Sequence, residues 1–438
     1  MTRDEIIMVC TCDLAGQMRG KGFPASDLEA RLGRGIGWTP TNSFITAHGP
    51  IAPSPWGPFG DLVLMPDPAT ETRIDMGPDH AAEHFMVADL TNLDGTPWAV
   101  CPRGFLKRVL AALEARHGLG VRAAFEHEFV YEGVDERPNA SYALDAFRRQ
   151  DRFGEAYLGA LREAGVTLDT FMPEYGPQQY EVTVGPAVGV AAADDAVKVR
   201  EIARSVAQRL GSRASFTPIL RPDAVGNGVH IHFSLFRLDD GEPVNHDPLD
   251  PCGVSATAGS FVGGVLEKLP AIAAVTAAAS VSYLRLTPNR WSAAYANLGH
   301  RDREAGVRIC PVFGGEGADV ARQHHFEFRA ADAAASPYLA LGAVLAAGLW
   351  GLDQGLPRPP VSRTPPQDMS AGEREQLGIR RLPQSLGEAL DLFESDGDLE
   401  AAFGVELKAA YLAHKRFEAE MMEKLDPYEQ CARYRLVY

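Results

Sequence analysis

The segment AAFEHEFV, residues 123–130, sets Glu126 and Glu128 two positions apart. Residues two apart on a strand share a face. The two carboxylates would then point one way, and Phe125, His127 and Phe129 the other. Side-by-side carboxylates repel, and strands are poor hosts for glutamate. The pattern recurs. In GVHIHFSL, His230 and His232 share a face; in HHFEFRAAD, Glu327 and Arg329 do; PEYGPQQYEV supplies Glu174 and Glu181. A single such pair reads as a solvated strand face. Several in one region read as one shared polar face, lined by Glu126, Glu128, Glu174, Glu181, His230 and Glu327. Buried carboxylates at that density need cations. Oxygen donors with an occasional imidazole suit magnesium or manganese better than zinc or copper.

Arginines complete the set. YLRLTPNRW gives Arg285, HRDREAGVRICP gives Arg303 and Arg308, and the last polar strand gives Arg329. Carboxylates that hold divalent metal beside several arginines meet the needs of phosphoryl transfer from a nucleotide. The chain has neither a GxxxxGK[ST] loop nor a kinase signature, so neither common nucleotide cradle applies. These residues point to a metal-dependent enzyme that uses ATP.

The elements that position them are legible in outline. A chain of 438 residues is long enough for a large core, and 45% hydrophobic with 23% charged residues is ordinary for a globular protein. The net charge of −16 (42 basic, 58 acidic), with no basic tract, argues against a nucleic-acid or anionic-membrane partner. Six scattered cysteines without a CxxC pair suggest a reduced cytoplasmic protein rather than a disulfide framework or a zinc site. The N-terminus lacks a signal-peptide layout. The uncharged stretch from Ala333 to Leu352 reads as a buried core helix beginning near Pro337. Glycine- and proline-rich residues 1–100, with strand-like IIMVCTCDLAG and DLVLMPDPAT, form one unit. CPRGFLKRVLAALEARHG then opens residues 101–438 with an amphipathic helix burying Leu106, Val109, Leu110 and Leu113. DDAVKVREIARSVAQRLG reads as a helix ending at Gly211, and PRPPVSRTPPQD as a surface connector before a helical tail.

Taken in order, DLVLMPDPAT, EHEF, EYGPQQYE, GNGVHIHFSL, YLRLTP, RDREAGVRICP, FEFRAADAAASPYLAL and LPQSLGEAL resemble the glutamine synthetases over nearly the whole chain. The resemblance implies an α+β fold: a small N-terminal β-grasp domain, residues 1–100, and a larger catalytic domain, residues 101–438, with a curved antiparallel sheet flanked by helices. It implies two metals, magnesium or manganese. One would take Glu128, Glu174 and Glu181, the other Glu126, His230 and Glu327. ATP would phosphorylate the γ-carboxylate of glutamate, and an amine would attack the acyl phosphate. Arg285 and Arg329, with Gly226, would bind glutamate. Arg303 and Arg308 would meet the ATP phosphates and the transferring phosphoryl group, with His232 and Ser234 at the nucleotide. The family forms double rings with sites between subunits, so a homo-oligomer, a double-ring dodecamer, is expected.

Departures from the family pattern carry the finer expectation. The flap motif Gly-x-Glu-Ala-Pro after RLxP is NRWSAAY here, which puts Trp291 at the glutamate. The Asp-Gly-Ser-Ser loop that helps bind ammonium is replaced near GWTPTN, with Trp38 or Thr39 at the aspartate. Val225 and Val281 stand where asparagines are expected, and His325 where an arginine is. Loss of both ammonium-site carboxylates favours a ligase joining glutamate to an organic amine over an ammonia-using glutamine synthetase or a non-catalytic relative. An aromatic or short alkyl primary amine fits an indole at the site best; a polyamine, which would want more carboxylates, fits least.

Overall fold

The computed structural model describes residues 4–315 and 317–438. The apolar run IIMVCTC becomes the strand Ile6–Cys12, antiparallel to Met18–Pro24 and parallel to Glu83–Thr91. Leu62–Pro66 alternates buried and half-buried residues, as period two requires of a strand with one covered face. It lies antiparallel between Glu83–Thr91 and Ile36–Trp38. With Thr72–Ile74 these make a six-stranded mixed sheet, the β-grasp unit of the N-terminal part.

The first long helix runs Pro102–His117, with proline in its first turn and left-handed Gly118 closing it. Leu106, Val109 and Leu113 are buried as their spacing predicts, and Leu110 is half-buried. A second helix, Val190–Arg209, begins four residues before Asp194, because the small residues Ala191, Ala192 and Ala193 extend it, and Gly211 turns the chain at φ +74°.

The polar strands join one ten-stranded sheet. Across its middle run Leu168–Pro173, Gln179–Val184, Leu119–Tyr131, Val229–Arg237, Phe326–Ala331 and Val307–Ile309, each antiparallel to the next. The sheet is not antiparallel throughout. At its far edge Leu298–His300 runs parallel to both Val307–Ile309 and Val361–Ser362. Val361–Ser362 comes from the proline-rich tract expected to be a connector. Asn297 Nδ2 donates to Ser362 Oγ (2.8 Å) and Ser362 Oγ to the Leu298 carbonyl (3.1 Å), which draws the tract into the sheet.

Helices cover the apolar face. Pro337–Asp353 begins at the expected proline and is almost wholly buried. Ala256–Thr276 is, among the described residues, the one helix long and apolar enough to cross a membrane, and 83% of its apolar window lies buried inside the protein. The two helices meet backbone to backbone. A Cβ on Gly264 would stand 2.2 Å from the Ala347 carbonyl oxygen, and one on Gly351 2.3 Å from that of Ser260. Two buried arginines bind the N-terminal sheet to the rest. Arg103 donates to Asp67 (2.8 Å), Asp89 (3.0 Å) and Asp194 (2.9 Å). Arg200 donates to the carbonyls of Gly16 (3.0 Å) and Ala333 (2.8 Å), the latter just past the Glu327 strand.

The helix crossing gives a stability prediction. Alanine is the better helix former by about 1 kcal/mol, but a methyl at Gly351 must push two backbones apart, which costs about 1–3 kcal/mol beyond that gain. Gly351→Ala should lower the urea midpoint; an unchanged or higher midpoint contradicts the close approach.

Candidate active site

Strand register assembles the polar face. Glu126 pairs across the ladder with His230, Glu128 with Glu181, and Glu327 with His232 on one side and Arg308 on the other. Alternation on each strand then turns all of these toward one side, while Phe125, His127 and Phe129 enter the core. Glu174 joins from the turn after Leu168–Pro173, where its amide donates to the Gln179 carbonyl (2.8 Å). The trio Glu128, Glu174 and Glu181 brings its carboxylate oxygens within 4.8 Å of one another. Glu128 accepts from the Gly228 amide (2.6 Å), and Glu174 from the Tyr142 hydroxyl (3.0 Å).

The two halves of the cluster differ electrically. Burial, with repulsion from Glu126, pushes Glu181 up to about 12, and burial pushes Glu128 up to about 8. Burial also raises Glu174. In the other half burial is outweighed. His230 and His232 hold Glu126 well below the usual carboxylate range, and Arg329 with the two histidines pulls Glu327 down to about 2. His230 Nδ1 lies 3.7 Å from Glu126 Oε1 and 3.5 Å from Glu327 Oε1. It is buried and, among the described residues, has no hydrogen-bond partner. An unpartnered imidazole nitrogen between two carboxylates, next to a trio of mutually repelling glutamates, fits hard divalent cations such as magnesium or manganese.

The arginines surround the face. Arg308 donates to Glu327 Oε2 (2.8 Å) and Arg329 to Glu327 Oε1. Arg329 Nη2 also reaches the Trp291 carbonyl (3.2 Å). Arg285 is buried, donating to Ser292 Oγ (3.0 Å) and the Ala331 carbonyl (2.7 Å). Gly226 makes room for it, since a Cβ there would stand 2.4 Å from Arg285 Cγ. Residues 289–292 form a pinned flap. Arg290 donates to the carbonyls of Ala224 (3.0 Å) and Pro222 (3.1 Å), and the Trp291 amide donates to Glu304 Oε1 (3.0 Å). Trp291 is 66% exposed at φ +53°. Bulky residues avoid this left-handed region, a conformation worth about 1–3 kcal/mol that only surrounding bonds sustain. Beside the carboxylates opens a cleft of about 830 Å³ lined by Arg122, His232, Ser234, Arg303, Arg308 and Cys310, among others.

The expected trio Glu128, Glu174 and Glu181 is brought together, whereas Glu126 groups with Glu181 and His230 and again with His232 and Glu327 rather than in the expected trio with His230 and Glu327. Arg285, Arg308 and Arg329 bond around this cluster, and His232, Ser234, Arg303 and Arg308 line the cleft beside it. Sequence reasoning passed over Tyr142, Glu304 and Cys310. Glu304 and Cys310 lay inside the quoted RDREAGVRICP without a role. Tyr142 sits in a loop with no motif, and its bond to Glu174 has no signature along the chain.

Residues 99–433 match the model of the glutamine synthetase catalytic domain, and residues 2–98 that of the glutamine synthetase N-terminal domain. The chain belongs to the glutamine synthetase family. It is accordingly an ATP-dependent ligase that forms a carbon–nitrogen bond with the help of divalent metal. It is similar to the gamma-glutamylpolyamine synthetase GlnA3 of Streptomyces coelicolor, 36% identical over 442 residues covering 99% of this chain and 93% of that protein. The glutamine synthetase of Thermococcus kodakarensis is 31% identical, over 92% of this chain and 86% of the relative. A crystal structure described as a novel glutamine synthase homolog superposes with a TM-score of 0.92 at 42% identity, covering 100% of this chain and 99% of that one. Trp38 is buried in the N-terminal sheet.

Glu181 holds its proton in the crowded trio, so Glu181→Gln replaces a neutral group by a neutral one. The substitution should leave the melting temperature of the metal-free protein unchanged or slightly higher, and abolish much of the rise that manganese gives. A full manganese-induced rise in this variant, read by differential scanning fluorimetry, would take Glu181 out of the cation site.

Proposed function

We propose that the protein activates the γ-carboxylate of glutamate with ATP and transfers the γ-glutamyl group to an organic primary amine. The observation that carries this reading is Trp291. It stands where the family's flap has a glutamate, held in a strained conformation and tied by Arg329 to the cluster. A carboxylate at that place would bind an ammonium ion and take its proton. An indole does neither, and offers a flat apolar face instead.

The remaining roles follow from position. Glu128, Glu174 and Glu181 would hold one magnesium or manganese ion, and Glu126, His230 and Glu327 a second. Bound cations supply charge neutralisation at the phosphate oxygens. Arg303 and Arg308, on the cleft wall, would orient the phosphates and stabilise the charge on the transferring phosphoryl group; His232 and Ser234 line the same wall at the nucleotide. Arg329 would pair with a carboxylate of glutamate, and Arg285, seated against Gly226, would orient that substrate. The attacking amine must lose a proton, and an aromatic amine arrives neutral near pH 7, so it needs no flap carboxylate. The proposal includes the family's double-ring homododecamer with sites between subunits, and a cytoplasmic setting supported by six free cysteines.

A polyamine is the second reading, favoured by the name of the Streptomyces relative. Glu304, the carboxylate that pins the flap, already accepts from the amides of Asn289 and Trp291 and from Gln367 Nε2 (2.8 Å), which leaves it poorly placed to receive a second ammonium group. The apolar amine is therefore preferred.

Phosphate release from ATP plus glutamate should be faster with an aromatic or short alkyl amine than with ammonia or spermidine at equal concentration. Trp291→Glu should shift preference toward ammonia by about tenfold, the worth of one well-placed charge at about 1.4 kcal/mol. Spermidine as best acceptor would replace the apolar amine by a polyamine; ammonia as best acceptor would restore an ordinary glutamine synthetase.

A further inference from the structure

Next to the oxygen-rich face lies a cluster of different chemistry. His232, Cys310 and His325 bring one ligand atom each within 4.8 Å of one another. His325 stands where the family pattern has an arginine, and Cys310 follows the Arg308 strand. The Cys310 amide donates to the His325 carbonyl (3.2 Å), which continues the strand pairing and fixes both backbones. The phosphoryl-transfer reading uses neither Cys310 nor His325.

The ring orientations are set from behind. A carbonyl oxygen can only accept, so the contact of His325 Nδ1 with the Gln323 carbonyl (2.6 Å) makes that nitrogen the protonated one. Glu126 Oε2, an ionised carboxylate, accepts likewise from His232 Nε2 (2.8 Å). The other two nitrogens, His232 Nδ1 and His325 Nε2, face each other at 3.1 Å. A single proton can bridge that pair, and so can a metal ion that displaces it. Cys310 Sγ lies 3.9 Å from His232 Nδ1. Tetrahedral zinc, with bonds of about 2.0–2.1 Å to nitrogen and 2.3 Å to sulfur, sets its ligand atoms about 3.3–3.6 Å apart. The separations here bracket that range, and a fourth position opens toward the cleft. Imidazoles held from behind by a carboxylate and a backbone carbonyl are the usual support of such a site.

We propose that His232, Cys310 and His325 form a binding site for a thiophilic divalent cation such as zinc, on the wall of the cleft. Two imidazoles and a thiolate select soft ions, whereas the neighbouring glutamates select hard ones; the His232–Glu126 contact joins the two sets. No spacing signature announces it, because the three ligands come from three separate stretches of chain. With the cleft holding the nucleotide, as read above, an ion beside Arg308 and Ser234 would crowd the phosphates and inhibit turnover.

Cobalt(II) is the probe, titrated into the full-length protein with its carboxylate sites saturated by manganese. The expected result is one equivalent of cobalt that produces a near-ultraviolet thiolate-to-cobalt absorption band, displaced by zinc. Cys310→Ser should lose the band, and His325→Gln should weaken cobalt binding about tenfold or more. A wild-type protein without the band, a band that persists in Cys310→Ser, or unchanged affinity in His325→Gln overturns the site. His325→Gln decides the matter should Cys310→Ser fail to fold. Zinc should also raise the ATP KM; cobalt binding with the band intact but no effect on the ATP KM would count against the cleft as the nucleotide site, and leave the soft-metal site standing.

Discussion

Like-charge repulsion on one face of a buried sheet is the constraint to which the rest of the structure answers. Two carboxylates about 4 Å apart repel by roughly 4 kcal/mol at an effective dielectric constant near 20. Several such pairs would rival the whole 5–15 kcal/mol by which a domain is stable. The chain settles half of the debt with its own side chains. Glu327 sits between Arg308 and Arg329, and Glu126 beside His230 and His232. The other half, Glu128, Glu174 and Glu181, makes no ion pair among the described residues, and holds protons at pH values where free glutamates have lost them. That asymmetry is the mark of a place kept for cations.

The opposite face of the same strands is closely packed. Behind the glutamates, Phe125 and Phe129 pack into the core. Between them His127 is kept neutral, its pKa driven down to about 3 by burial and the nearby Arg200. Arg200 in turn ties this layer to the carbonyls that follow the Glu327 strand. Long helices crossing at glycines close the far side. A one-residue slip of any polar strand would turn glutamates into this core and phenylalanines into the cleft, so register is specified by both faces at once.

Much of this was legible from residue order. Alternation on AAFEHEFV, GVHIHFSL and HHFEFRAAD foretold which side chains share a face, because period two survives any curvature of the sheet. The helix from Pro102 was equally plain from its apolar spacing, and the one from Pro337 from its uncharged run with a proline near its start. What escaped notice depends on contacts between distant segments. The Leu298–His300 strand takes Val361 as a parallel partner across a stretch that reads as a connector, and two hydrogen bonds to Ser362 decide the matter. The pinning of the flap by Glu304 and the meeting of Cys310 with His325 are of the same kind. Trp291 was legible as a substitution, but not its left-handed backbone.

A direct count tests whether the glutamate face holds two cations. Bound Mn2+ can be measured by electron paramagnetic resonance on the full-length protein with a non-hydrolysable ATP analogue present. Two Mn2+ ions per chain are expected at saturation, falling to one in Glu327→Ala and to one in Glu174→Ala, each from a different half of the cluster. A wild-type chain that binds no Mn2+, or a Glu327→Ala chain that still binds both ions with unchanged affinity, would contradict a two-cation face.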